Sequence, residues 1–154
     1  MPRRSPSFTA PEDSPGFLLW RTSNLWQRRQ REALAPLGLT PVQLALLAGV
    51  VALSKEGTPV SQVRLARHAR SDVMMTSQVL RTLQRKKLVR RAPHPTDPRA
   101  NALLPSAAGR RLARQAIAAL ERTDSAFFAP LGGDAQRLAG MLRSLSEAGA
   151  EAGS

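Results

Sequence analysis

The chain has 154 residues, 42% of them hydrophobic and 22% charged, a balance that builds a single globular domain rather than a disordered chain. Its 23 Lys plus Arg against 11 Asp plus Glu give a net charge of +12, which favours a polyanionic partner over a merely solvated basic face. Cysteine is absent and histidine occurs twice, which excludes disulfides, thiolate zinc sites and cysteine redox switches, so neither a metal nor a cofactor is expected.

Residues 1–15 hold Pro2, Pro6, Pro11 and Pro15 with Ser and Thr between them, and read as a disordered tail. Two arginines stand there without a long apolar run after them, so neither a signal peptide nor a membrane anchor is evident and a cytoplasmic location is expected. From Gly16 to about Leu37, Phe17, Leu18, Leu25, Trp26, Ala33, Leu34 and Leu37 recur at helical spacing and predict a long first helix. Gly38 ends it. Thr40, Pro41 and Gln43 then give a start signal, with Thr as N-cap, Pro at the first helical position and Gln three residues after the cap. The second helix, to about Leu53, is apolar nearly all round and should be buried on most faces.

Beyond the breaker at 55–59, Ser61 can cap a short helix to Ala69, and Ser71 or Asp72 can cap another to about Lys86. Two short helices joined by about three residues suggest a helix-turn-helix. From Leu88 the pattern changes: Leu88 to Arg91 and Ala102 to Leu104 flank a turn-rich tip, Pro93-His94-Pro95-Thr96-Asp97-Pro98-Arg99, which predicts a hairpin, or wing. Ser106 caps a long helix with Leu112, Ala116, Leu120, Thr123 and Phe127 in one stripe. Pro130 to Gly133 breaks it, Asp134 can cap the last helix, and Leu138, Met141, Leu142 and Leu145 form that helix's apolar face. Residues 149–154 should fray.

Charge is concentrated where the helix-turn-helix is predicted. Residues 61–110 hold eleven basic side chains against Asp72 and Asp97, or +9 of the +12. That is the distribution expected of a surface that displaces counterions from phosphates. On a helical wheel, residues 72–86 place Thr76, Val79, Leu80 and Leu83 on one side and Met74, Ser77, Gln78, Arg81 and Arg85 on the other. Hydroxyl, amide and guanidinium groups opposite a packing face suit a helix that reads base edges in the major groove of double-stranded DNA: Arg81 and Arg85 fit guanine or phosphate, Gln78 fits adenine, and Met74 can meet a thymine methyl. Arg70 and Ser71 in the turn, and Arg90 on the first strand, complete the candidate DNA-binding residues around this face. At the tip, Asp97 and Arg99 stand two apart around Pro98, so the carboxylate can pair with the guanidinium or with turn amides and hold Arg99 outward, toward the minor groove.

These residues resemble the MarR (multiple antibiotic resistance regulator) family of winged helix-turn-helix regulators. The likeness rests on Arg64-Leu65-Ala66 through Met74-Met75-Thr76-Ser77-Gln78-Val79-Leu80-Arg81-Thr82-Leu83, on Leu88-Val89-Arg90-Arg91, on Asp97-Pro98-Arg99-Ala100 and on Ser106-Ala107-Ala108-Gly109-Arg110, and it covers about residues 15–148. It implies a mostly α fold with a small β-wing, the winged helix-turn-helix at 40–105 being flanked by dimerisation helices at 16–37 and 106–148 in one domain spanning 16–148. It further implies an obligate homodimer with recognition helices in successive major grooves. By position, Ser77 and Gln78 would face bases and Arg99 the minor groove. Lys87 departs from the family pattern by standing where Gly is usual, so that turn is expected to be strained or to take another shape. Pro105-Ser106 also replaces the usual Leu-Thr, although Ser106 still supplies a cap.

Many members of the family are released from DNA by small aromatic acids, and Trp20, Trp26 and Arg21 supply a candidate apolar pocket with a cationic handle. Aromatic residues on such a helix also serve as core or dimer contacts. His68 reads as a surface or phosphate-adjacent residue and His94 as a loop residue. The implied function is a sequence-specific regulator, with repression as the expected sign. A sequence-tolerant architectural DNA binder is the alternative, since charge alone gives non-specific affinity. No Gly-rich phosphate loop, Cys nucleophile or acidic cluster supports an enzyme, and no catalytic residue is assigned. Aromatic residues at 4%, with no Tyr, offer little for stacking RNA bases.

Overall fold

A computed structural model describes residues 10–97, 99 and 101–151. The chain divides into two compact units, Met1–Leu120 and Glu121–Ser154. Of the stretch expected as a tail, residues 1–9 lie outside the described residues. Pro11–Asp13 form a short 3-10 helix, and the Ser14 hydroxyl accepts from the Phe17 amide to cap α1, Pro15–Leu34.

Ala35–Leu37 continue α1 as a 3-10 turn that ends on Gly38, whose φ of +66° is the left-handed region glycine enters without a Cβ penalty. Helix α2, Pro41–Ser54, begins with the full capping box: the Thr40 hydroxyl accepts from the Gln43 amide and Gln43 Oε1 accepts from the Thr40 amide, each at 3.2 Å. Leu44, Leu46, Leu47, Val50 and Leu53 of α2 are buried, while Val42 remains exposed. The helix packs against α3 (Gln62–Ala69), α4 (Val73–Arg85) and the second strand of the wing, and so forms the centre of the first unit. Each fully buried Leu contributes about 1.5–3 kcal/mol by leaving water.

Strands β1, Val89–Pro93, and β2, Asn101–Pro105, pair antiparallel with Val89 opposite Pro105 and Pro93 opposite Asn101. An isolated bridge from Val60 to Leu103 extends this wing by one residue, the Leu103 amide donating to the Val60 carbonyl at 2.8 Å. Nothing in the sequence pattern announces that bridge, because a single residue has no period. Helix α5, Ala107–Phe128, buries Gly109, Ala113 and Ala116 in the first unit's core. In the second unit a 3-10 turn, Ala129–Leu131, precedes α6, Asp134–Glu151. Asp134 is thus the first residue of that helix. Residues 152–154 lie outside the described residues. Among the described residues no single helix is long and apolar enough to cross a membrane.

Both helices of the helix-turn-helix close in the same way at their C-terminal ends. After α3, the Ser71 amide donates to the Ala66 carbonyl at 3.0 Å and Arg70 takes φ +50°. After α4, the Leu88 amide donates to the Leu83 carbonyl at 2.9 Å and Lys87 takes φ +58°. The expected strain at Lys87 is therefore present: a lysine occupies a left-handed C-terminal position that suits glycine. At mid-range, relief of left-handed strain, about 1.5 kcal/mol, exceeds the extra unfolded-chain freedom of glycine, about 0.7 kcal/mol, together with the lost attraction of a cation for the helix end, about 0.3 kcal/mol. Lys87→Gly should consequently raise stability by about 0.5 kcal/mol in denaturant unfolding. A loss of stability would show that the lysine side chain makes a stronger contribution than attraction to the helix end.

Candidate nucleic-acid interface

The candidate reading face is built from the turn upward. The Asp72 carboxylate accepts from the Met75 amide at 2.9 Å and caps α4, satisfying a donor that the first turn would otherwise leave open. Thr76 is fully buried on the opposite side of the helix, its hydroxyl 2.8 Å from the Asp72 carbonyl and 2.7 Å from the Ser71 hydroxyl. A buried hydroxyl with both partners supplied has its desolvation cost offset by the bonds it makes. Ser71, a candidate contact in the sequence, is half-buried with its hydroxyl engaged there.

Thr76, Leu80 and Leu83 are buried and Val79 is half-buried, so the face expected to pack does pack. Opposite it, Met74 is 80% exposed, Gln78, Arg81 and Arg85 are exposed, and Ser77 is half-buried. A large apolar side chain so free of cover is available to a partner. Arg81 Nη2 lies 3.4 Å from the Ser77 hydroxyl one turn earlier, and Arg85 Nη2 lies 3.0 Å from the Thr82 hydroxyl, so both guanidinium groups lie close along the helix.

Arg70 is exposed in the turn before α4, and Arg90, on β1 opposite Leu104, is exposed as well. At the wing tip the Asp97 carboxylate accepts from the Arg99 backbone amide at 2.9 Å, and Arg99 is exposed. Of the two partners open to Asp97 in the sequence, the turn amide is the one it takes.

Two basic residues of the 61–110 cluster are committed elsewhere. Arg64 pairs with the Glu56 carboxylate and donates to the Thr58 carbonyl, tying α3 to the loop after α2. Lys86 donates to the Gly38 carbonyl and to Gln43 Oε1, joining the end of α4 to the α1–α2 corner across 48 and 43 residues of chain. Periodicity and capping signals do not reach over such distances, so neither tie is legible in the sequence.

On α1, a shallow groove is lined by Trp20, Arg21, Thr22, Asn24, Leu25 and Arg28. Of the three residues expected to form an apolar pocket with a cationic handle, Trp20 and Arg21 thus share a surface. Trp26, half-buried on the same helix, is not part of that lining.

No protein-family model matches the chain. Among curated proteins it is 38% identical over 122 residues to the uncharacterized HTH-type transcriptional regulator YdcH of Bacillus subtilis, covering 79% of this chain and 83% of that protein. It is 31% identical over 127 residues to an HTH-type transcriptional repressor of Mycobacterium tuberculosis, covering 82% and 88%. Among solved structures, a probable transcriptional regulator of Pseudomonas aeruginosa aligns with TM-score 0.76 at 27% identity, over 88% of this chain and 99% of that one. A MarR-family regulator of Rhodococcus has the same fold at TM-score 0.74 and 23% identity, over 90% and 96%. CouR of Rhodococcus jostii, solved with p-coumaroyl-CoA bound, aligns at TM-score 0.74 and 25% identity, over 90% and 93%.

Proposed function

This chain belongs to the MarR family of winged helix-turn-helix transcriptional regulators, and from that premise we propose that it represses transcription as a homodimer bound to a palindromic operator. The observation that carries the reading is the division of α4 into a buried face and a face where Met74, Gln78, Arg81 and Arg85 are exposed beside Ser77. These groups match base edges and phosphates in chemistry, and the exposed Arg70, Arg90 and Arg99 extend the cationic surface to the turn and the wing.

Dimerisation is supported by apolar surface that needs cover. Phe17, Leu18, Leu19, Trp20 and Leu25 are exposed on α1, and Met141, Leu142 and Leu145 are exposed on α6 of the second unit. In a twofold dimer the two recognition helices would meet half-sites about one helical turn of DNA apart, near ~34 Å. A ligand that changes that separation would weaken binding. The α1 groove with Trp20 and Arg21 fits a small aromatic acid, the indole offering a flat apolar contact and the guanidinium a carboxylate partner. The molecule bound in the CouR structure carries an aromatic acyl group, which is consistent with that class.

Selection of bound sites from random duplex DNA, repeated with aromatic acids present, tests the proposal. The expected result is a palindromic consensus whose recovery falls when an effective acid is added. Recovery of basic-protein background with no consensus would replace the specific regulator by an architectural DNA binder.

A further inference from the structure

The wing tip contains a hydrogen-bond arrangement that the reading of Arg99 leaves unused. His94 follows β1 directly and is half-buried. Its Nδ1 lies 3.1 Å from the Asp97 amide nitrogen, 3.3 Å from the Thr96 amide nitrogen and 3.4 Å from the Thr96 hydroxyl. A backbone amide only donates, so Nδ1 must be the ring nitrogen without a proton, and in the neutral imidazole the proton then sits on Nε2. The ring does what an Asp or Asn side chain does at the start of a turn, collecting the amides two and three residues ahead.

Asp97 repeats the device one step on, its carboxylate accepting from the Arg99 amide at 2.9 Å. The two contacts form a relay in which His94 fixes the backbone at Asp97 and Asp97 fixes the backbone at Arg99. Pro95, between the two, restricts φ and reduces the freedom that the relay has to remove. The other charged groups of the wing, Arg90 and Arg91 on β1, are exposed, and the ring's hydrogen bonds run to Thr96 and Asp97 instead.

We propose that His94 is a positioning residue for DNA binding: its neutral imidazole, as acceptor for the Thr96 and Asp97 amides, sets the tip of the wing so that Arg99 is presented to the DNA groove. The inference rests on the reading of Arg99 as a DNA contact. It makes His94 a residue that acts through another, where sequence alone gives only a loop histidine. The spacing His94-Pro95-Thr96-Asp97 is the local signal that identifies it, once His is admitted as a turn-initiating acceptor.

The test measures affinity of the full chain for the best duplex recovered from the random pool, with four variants. Arg99→Ala should weaken binding about tenfold or more. His94→Ala should weaken it about three- to tenfold, the worth of one or two hydrogen bonds, while shifting the unfolding midpoint by no more than about 2 °C. His94→Asn, which keeps an acceptor at the same place in the turn, should stay within about twofold of wild type. In the Arg99→Ala background, His94→Ala should add nothing further. Ring nitrogen shifts in the free protein should report the Nε2–H tautomer.

Wild-type affinity in His94→Ala, with Arg99→Ala still weakened, overturns the positioning role and leaves the wing contact intact. Silence of both variants overturns the wing reading and the positioning role together. Additive losses in the double variant, a failure of His94→Asn to restore binding, or an Nδ1–H tautomer would each show that His94 does not act by organising the tip.

Discussion

Gly109→Ala should cost about 3 kcal/mol of stability and lower the unfolding midpoint by about 6–12 °C. A Cβ at that position would lie 2.1 Å from the Leu88 carbonyl oxygen and 3.0 Å from its carbonyl carbon, both backbone atoms, with Leu47 Cδ1 at 3.4 Å. Backbone cannot rotate away as a flexible side chain can. The same Leu88 carbonyl accepts from the Ser106 amide at 3.0 Å and from the Ser106 hydroxyl at 3.2 Å. That hydroxyl is also 2.8 Å from the Lys87 carbonyl and accepts from the Gly109 amide at 2.9 Å. Making room for one methyl therefore means lifting the first turn of α5 off the start of the strand that leads to the wing. Overpacking alone costs about 1–3 kcal/mol, and each hydrogen bond lost with it about 1 kcal/mol. Denaturant unfolding at fixed protein concentration measures the sum. A loss under about 1 kcal/mol would mean that the first turn of α5 slides freely over Leu88, and that this contact does not set the root of the wing.

The parts of this fold that are legible in the sequence are those determined within one turn or one helix. Thr40, Ser61, Asp72 and Ser106 are short polar side chains three residues ahead of an amide, and each accepts from that amide in the structure. The two faces of α4 follow from a 100° step, which puts Thr76, Leu80 and Leu83 inside and Met74 outside, where the structure has them. The hairpin follows from a change of period and a cluster of turn residues, and its strands run Val89–Pro93 and Asn101–Pro105.

What stays hidden depends on partners far away in sequence or on competition for one atom. Ser71 has the look of a free hydroxyl next to the candidate reading face of α4, but the buried Thr76 claims it. Arg64 and Lys86 count toward the cationic stretch, yet Glu56 and the Gly38 carbonyl hold them. Charge density along a chain says where cations are concentrated; it does not say which are already paired. Arg70 carries a left-handed backbone that no local rule requires of arginine, and the turn before α4 is built on it.

Arg81 is where these two kinds of information meet, and Arg81→Ala should reduce affinity for the selected duplex by about 10- to 100-fold while changing base preference at one position in each half-site. The residue is exposed, four positions after Ser77, with its guanidinium 3.4 Å from the Ser77 hydroxyl. An arginine lying along the helix in this way would reach one base step rather than a range of phosphates, and its two parallel donors would match the O6 and N7 acceptors of guanine. Arg81→Lys separates charge from shape, because lysine keeps the cation and loses the fork. If Arg81 reads a base, the lysine variant should resemble alanine in sequence preference and recover only part of the affinity. Arg70→Ala supplies the contrast: a turn cation against phosphate should lose affinity evenly across sequences and lower the salt dependence by about one counterion. Should Arg81→Lys keep both affinity and consensus, Arg81 would be a phosphate contact, and base reading would rest on Ser77, Gln78 and Met74 of the same face.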